Sequence, residues 1–308
     1  MSKILLATEK PFAPAAVEGI EEIFGNAGFE LVKLEKYADK SELLAAVADV
    51  DGIIVRSDKV DSEVLEAAKN LKIAVRAGAG YDNIDLDAAS TKDVVVMNTP
   101  GQNSNAVAEL GFGMLVYLNR NGYNGKAGVE LRGKKFGIHA YGHIGKIMGI
   151  IAKGFGMKVY AHDPFVDPTF IENDGVKCEE KVEDLYKKCQ YVAVNLPVTD
   201  KTKGFINHDL MSIMPEGATL LNTARKEIID EASLLKIMSE RGDFRYVTDI
   251  APDCKAEIES NYEGRYFFTP KKMGAQTAEA NVNAGLAAAR QIVGYLKDGD
   301  NTFQVNKI

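Results

Sequence analysis

Two adjacent lysines, Lys271 and Lys272, stand in the stretch FFTPKKMGAQT, directly after Pro270. An ammonium group there can donate a proton to an oxygen that is gaining electrons, or the two can form the solvated charge pair that surface lysines usually make. A second stretch with chemical capacity is AYGHIG, Ala140 to Gly145, which lies between the β-rich run KKFGIHA and the helix-like KIMGIIAKGF. A glycine turn between strand and helix lets backbone approach a pyrophosphate, whose charge then meets the free N–H groups of the helix start. Gly142, His143, Ile144 and Gly145 are therefore candidate cofactor contacts, with Ala140 where the G-x-G-x-x-G fingerprint has its first glycine. Asp163 closes the next run, KVYAHD, 18 residues beyond Gly145. A carboxylate there accepts hydrogen bonds from ribose hydroxyls and repels a 2′-phosphate, which favours NAD over NADP. The alternative for Asp163 is a turn-forming role before Pro164. His139 and His143 straddle a strand and a turn and share no helical face, so no metal site is expected from them.

These residues need a scaffold, and the chain offers a regular one. Short apolar β-rich runs recur at 3–9, 51–57, 72–78, 94–100, 134–140, 158–163, 191–197, 218–224 and 244–250, separated by amphipathic stretches. That alternation predicts βαβ units, with parallel strands buried on both faces, and hence an α/β fold. The segment NSNAVAELGFGMLVYLN (103–119) is apolar on nearly every side, as in a helix buried all round or one at a subunit interface. Residues 277–299 read as one long helix ending at a glycine.

Composition narrows the partners. In 308 residues a net charge of −7 and a pI near 5.3, without a basic run, argue against nucleic acid as ligand. Three cysteines, Cys178, Cys189 and Cys254, without CxxC spacing, read as reduced thiols in a cytoplasmic setting. The first residues lack a signal-peptide core, and no 18-residue apolar segment predicts a membrane span.

Taken in order and spacing, RAGAGYDNIDLDAA (76–89), NTPGQNSNAVAELG (98–111), AYGHIG, NLPVTDKTKG (195–204), NTARKEIIDEASLL (222–235) and FFTPKKMG resemble the D-isomer-specific 2-hydroxyacid dehydrogenases over almost the whole chain. NTPGQNSNAVAE, the RSDK at 56–59 and the terminal FQVNKI look most like short members that handle a phosphorylated hydroxy acid and lack a C-terminal regulatory domain. The resemblance implies two doubly wound parallel-sheet domains. A flavodoxin-like substrate domain would comprise 1–98 plus 280–308, and a Rossmann-type NAD domain 99–279, with the active site in the cleft between them. It also implies a homodimer formed through the long helix after residue 100.

The same resemblance assigns roles residue by residue. Arg225 in NTARKE would grip the carboxylate and carbonyl of a 2-oxo acid, a planar target suited to a bidentate guanidinium. Lys226 replaces the glycine common next to it. Pro197, Thr202, Thr223 and Asp249 would join the cofactor contacts. Arg56, Ser57, Gly78, Ala79 and Asn103 would contact substrate, Gly78 and Ala79 through backbone N–H groups. Arg56, Lys59 and Arg76 are the candidate phosphate cations; Asp58 stands where a second arginine is sometimes found. Lys271 occupies the position of the family's catalytic histidine, and Cys254, beside Asp253, that of the glutamate which supports it. The two departures share one cause. A histidine with a reference pKa of about 6.5 needs a carboxylate to stay protonated, whereas a lysine, at about 10.4, does not. The expected reaction is oxidation of 3-phosphoglycerate to 3-phosphohydroxypyruvate with NAD. A hydroxypyruvate or glyoxylate reductase and a non-enzymatic NAD(H)-sensing protein remain the alternatives.

Overall fold

A computed structural model describes all 308 residues. The chain divides into two compact units, Met1–Asn103 with Ala275–Ile308, and Ser104–Gly274. The changeovers fall where the helix Ser104–Asn119 starts and just ahead of the helix Ala278–Asp298, rather than at 98/99 and 279/280. Each helix is committed to its own unit by the face it buries.

The first unit holds β1 (Lys3–Thr8), β2 (Glu30–Glu35), β3 (Gly52–Val55), β4 (Ile73–Arg76) and β5 (Val95–Asn98), all parallel, in the order β2-β1-β3-β4-β5. This is the flavodoxin-like winding. Ile4, Leu6, Ile54 and Val75 face a layer that includes Ala284, Ala288 and Ile292 of Ala278–Asp298, while Leu5, Ile53 and Ala74 face the opposite core. Thr277 caps that long helix by accepting the Ala280 N–H (3.1 Å), and Gly299 ends it at φ 71°.

The second unit holds β6 (Lys135–His139), β7 (Lys158–His162), β8 (Lys177–Cys178), β9 (Tyr191–Val194), β10 (Thr219–Asn222), β11 (Arg245–Thr248) and β12 (Tyr266–Phe268). They form one parallel sheet in the order β12-β11-β10-β9-β6-β7-β8, the Rossmann winding with a seventh strand. The helix Ser104–Asn119 packs on this sheet through Ala108, Phe112 and Leu115. Only a narrow stripe at i, i+4 spacing, Asn105, Glu109, Gly113 and Tyr117, is exposed. No helix of the chain is long and apolar enough to cross a membrane.

All nine apolar runs read from the sequence are strands. The three additional strands, β2, β8 and β12, are all sheet edges. These three strands bury less than the others, and β8 and β12 are also short, so they carry no continuous apolar signature. β5, also terminal in its sheet, is buried throughout because the chain end covers it: Val305 N–H donates to Val96 O (2.9 Å), and Val96 N–H to Asn306 Oδ1 (2.9 Å).

Candidate active site

In an open parallel sheet, ligands bind beyond the carboxyl ends of the strands, where the winding reverses. In the second unit that point lies between β6 and β9. After β6 the chain turns at Ala140, a non-glycine residue at φ +76°, whose N–H donates to His162 O (2.9 Å). Gly142 precedes the helix His143–Gly154 with no side-chain cap on the first N–H groups, and a Cβ added at Gly142 would meet nothing within 4 Å. Gly145 is different. A Cβ there would lie 2.5 Å from Ala140 O, so glycine is required for the helix to close against the strand.

Asp163 forms the turn foreseen as its alternative role, and it also borders a cavity. Its Oδ2 accepts the Tyr141 N–H (2.8 Å) and its Oδ1 the Phe165 N–H (2.9 Å), bracing the turn, and it lines a cavity of about 570 Å³ with His162, Pro197, Thr202 and Phe205. Thr202 shapes that cavity. Its hydroxyl accepts the Thr199 N–H (2.7 Å) and donates to Pro197 O (2.6 Å), which folds the 197–202 turn. His139, at the cavity floor, is pushed down to about 3 by burial and then by His162, so it is neutral; its Nδ1 lies 3.2 Å from the Tyr186 hydroxyl.

The ends of β9, β10 and β11 share a property that sequence reading found only in part. Asn195 (both amide atoms), Thr223 Oγ1 and Asp249 Oδ1 are buried without a hydrogen-bond partner. Buried polar atoms are nearly always satisfied, so the orphaned groups at three successive strand ends lack partners that the chain itself does not supply. Asn195 was not foreseen. Its position one residue past a buried strand is the cue available in the sequence.

Asp249 is 1% exposed, and its Oδ2 accepts the Gly274 N–H at 2.8 Å. Burial holds its carboxyl above the usual carboxylate range, against the opposing pull of that N–H, Lys272 and Arg225. Lys272 is exposed, and its charge is one of those that draw the Asp249 carboxyl down against burial. The Thr269 hydroxyl lies 2.9 Å from Asp249 O and 2.8 Å from Lys271 O, which ties the lysine-bearing loop to the end of β11. Lys271 itself is exposed. Arg225 is set by Asn222, which accepts the Ala224 N–H (3.0 Å) and donates to Arg225 O (2.9 Å) in an Asx turn directly after β10.

The departures near Arg225 acquire a physical account. Lys226 pairs with Asp253 at 2.5 Å, and Asp253 is largely exposed. Glu231 accepts the N–H groups of Asp253 and Cys254, both at 2.8 Å. Burial first, and then Glu231, pushes the Cys254 thiol up to about 12. Cys254 is therefore an uncharged group where the resemblance expects an acid.

The first unit has its own switch point, between β1 and β3, and a small cavity of about 150 Å³ there is lined by Lys10, Arg56, Ser57, Arg76, Gly78 and Asn103, among others. The Gly78 N–H donates to Arg76 O (2.9 Å), so of the two expected carboxylate-binding amides only that of Ala79 lacks a backbone acceptor. Gly78 is favoured by its φ of +146°, and a Cβ there would also displace the Arg76 guanidinium, whose Nη1 would lie 1.4 Å away. Lys59, expected as a phosphate cation, does not line the cavity; Lys10 does. Asp58 is buried and structural, accepting from Glu9 N (2.6 Å), Tyr37 Oη (2.9 Å) and Arg56 N (3.1 Å).

Two parallel-sheet units wound in these two orders, one with a glycine turn at a helix start, define a two-domain nucleotide-dependent α/β protein. The family model for the D-isomer specific 2-hydroxyacid dehydrogenase catalytic domain matches residues 5–306, and the chain belongs to that family. It is 32% identical over 290 residues to D-3-phosphoglycerate dehydrogenase of Sus scrofa, covering 90% of this chain and 54% of that protein. It is 33% identical over 283 residues to hydroxypyruvate reductase of Thermotoga maritima, covering 85% and 90%. The chain thus spans about half the length of the phosphoglycerate dehydrogenases it matches among curated proteins. Among solved structures, the NAD+-bound 3-phosphoglycerate dehydrogenase of Entamoeba histolytica is similar at 48% identity and a TM-score of 0.88, over 100% of this chain and 99% of that one.

Proposed function

We propose that this protein is an NAD-dependent dehydrogenase that interconverts 3-phospho-D-glycerate and 3-phosphohydroxypyruvate, a reaction that feeds serine biosynthesis. The observation that carries the reading is the full-length similarity to the Entamoeba enzyme, joined to a second unit whose strand ends hold orphaned polar groups. Those groups fit NAD. The turn at Gly142 and the first residues of His143–Gly154 would hold the pyrophosphate, Asp163 the adenosine ribose, and Thr223 and Asp249 the nicotinamide end. NAD, when bound, supplies the hydride acceptor.

The rest is the work of this chain's side chains. Arg225 orients the substrate carboxylate and carbonyl by bidentate hydrogen bonding, and its guanidinium favours negative charge at the reacting oxygen. Lys271 Nζ donates a proton to that oxygen as the keto acid is reduced; in the reverse direction its neutral amine removes it. Because Cys254 is a protonated thiol, no carboxylate at that position tunes the donor, which is consistent with a donor that carries its charge unaided. A homodimer belongs to the same proposal, supported by exposed Tyr117, Tyr123, Val129 and Phe155 beside the helix Ser104–Asn119.

A hydroxypyruvate reductase is the second reading, favoured by the Thermotoga relative, which this chain matches over most of both lengths. One assay addresses both: NADH consumption with 3-phosphohydroxypyruvate, hydroxypyruvate and glyoxylate, for wild type, Lys271→Met and Lys272→Met. Turnover selective for the phosphorylated acid, with kcat down about 10²- to 10⁴-fold in Lys271→Met only, is the expected result. Selective turnover of hydroxypyruvate would replace the substrate assignment. A Lys271→Met enzyme that keeps its kcat would move the donor elsewhere.

A further inference from the structure

The first unit's switch-point cavity contains three cations and no carboxylate, within a protein of net charge −7. Charge of one sign gathered in a concave polar site concentrates an anion there. The three cations differ in how they are committed. The Arg56 guanidinium donates through Nη1 to Lys10 O and Pro11 O, both at 3.0 Å, and through Nη2 to Asn281 Oδ1 at 2.6 Å, and it lies 5.1 Å from the centre of the Phe12 ring. Two of its five N–H groups are thereby spent on holding the segment that carries Lys10, and a third on the helix residue Asn281. Arg76 lies against Gly78 and donates from Nε to Arg56 O (3.0 Å). Lys10 is exposed and in no ion pair; Lys36, Lys59, Lys69 and Lys92 of the same unit are also unpaired, but Lys10 is the one lysine that lines the cavity.

We propose that Lys10 is the residue by which this protein selects a phosphorylated over an unphosphorylated 2-hydroxy acid, and that Arg56 is a positioning residue that fixes the Lys10 segment at the rim of the cavity. The inference rests on the substrate reading above and deepens it. A tetrahedral dianion suits this site: Lys10 and Arg76 supply charge, and the N-terminal turn of the long helix Ala278–Asp298, whose Ala280, Asn281 and Ala284 line the cavity, adds its dipole.

The test is the ratio of kcat/KM for 3-phosphohydroxypyruvate over that for hydroxypyruvate, measured in wild type, Lys10→Met, Lys10→Arg, Arg56→Lys and the Lys10→Met/Arg56→Lys double variant. Loss of a charge-assisted hydrogen bond predicts that Lys10→Met lowers the ratio about tenfold, chiefly through KM for the phosphorylated acid, with Lys10→Arg restoring most of it. Arg56→Lys lowers the ratio in the wild-type background and adds little once Lys10 is gone. A ratio unmoved in Lys10→Met overturns the proposal, and additive losses overturn the positioning role of Arg56. A wild-type ratio near one instead overturns the substrate reading. Inhibition by inorganic phosphate then decides the site: weakening in Lys10→Met upholds an anion subsite, and inhibition equal to wild type overturns it.

Discussion

Asp249→Asn separates stability from ligand binding at one residue. The carboxylate is 1% exposed, and one oxygen accepts the Gly274 N–H while the other has no partner. A buried, unsatisfied polar atom costs about 1–3 kcal/mol, more if charged; Lys272 and Arg225 offset part of this, but burial dominates. An amide keeps an acceptor for Gly274 and removes the charge. The ligand-free variant should therefore be stabilised by about 1 kcal/mol, a rise of about 2–4 °C in Tm at pH 7. The folded-state pKa lies above the unfolded carboxylate value of about 3.9, so Asp249 opposes folding once the pH has risen through that folded pKa and ceases to do so below the unfolded value. The variant's advantage should be full at neutral pH and fade in acid. With its oxygen on the Gly274 N–H, the amide turns an NH₂ toward the orphaned side, replacing an acceptor by a donor. NADH affinity, followed by fluorescence titration, should fall about ten- to hundred-fold. A variant that melts at or below wild type at pH 7 refutes the claim that burial outweighs Lys272 and Arg225. Unchanged NADH affinity refutes the assignment of the orphaned oxygen to the ligand.

Two further perturbations test the nucleotide turn. Ala140 sits at φ +76°, where a Cβ costs about 1–2 kcal/mol, while glycine gives back about 0.4–1 kcal/mol through the unfolded chain. Ala140→Gly should thus gain about 0.5 kcal/mol in denaturant melts, and a loss would show that the alanine methyl makes a compensating contact. Asp163→Ala removes the acceptor for Tyr141 and Phe165 N–H groups as well as the charge that repels a 2′-phosphate. It should raise KM for NADH and narrow the preference over NADPH; an unaltered preference would mean that another group discriminates.

The proposed catalytic design was read from residue type alone. Lys271 for histidine and Cys254 for glutamate can be matched by position, and the nine buried strands declare themselves because a strand covered on both faces must be continuously apolar. The structure added what depends on distant segments meeting. Edge strands β2, β8 and β12 are defined by their neighbours more than by composition, and β5 is buried only because residues near 305 return to it. Lys10 and Arg56 lie 46 positions apart, and Asn281 lies 225 from Arg56. No local pattern joins them, so only the folded chain reveals that Arg56 is committed to backbone carbonyls and that Lys10, not Lys59, faces the cavity. Likewise, sequence alone names Asp249 as a ligand contact, but its orphaned oxygen exists only once Gly274, 25 residues on, has closed over the other one. Residue identity sets which chemistry is available, while hydrogen-bond saturation, a property of packing, decides which of those groups are left to perform it.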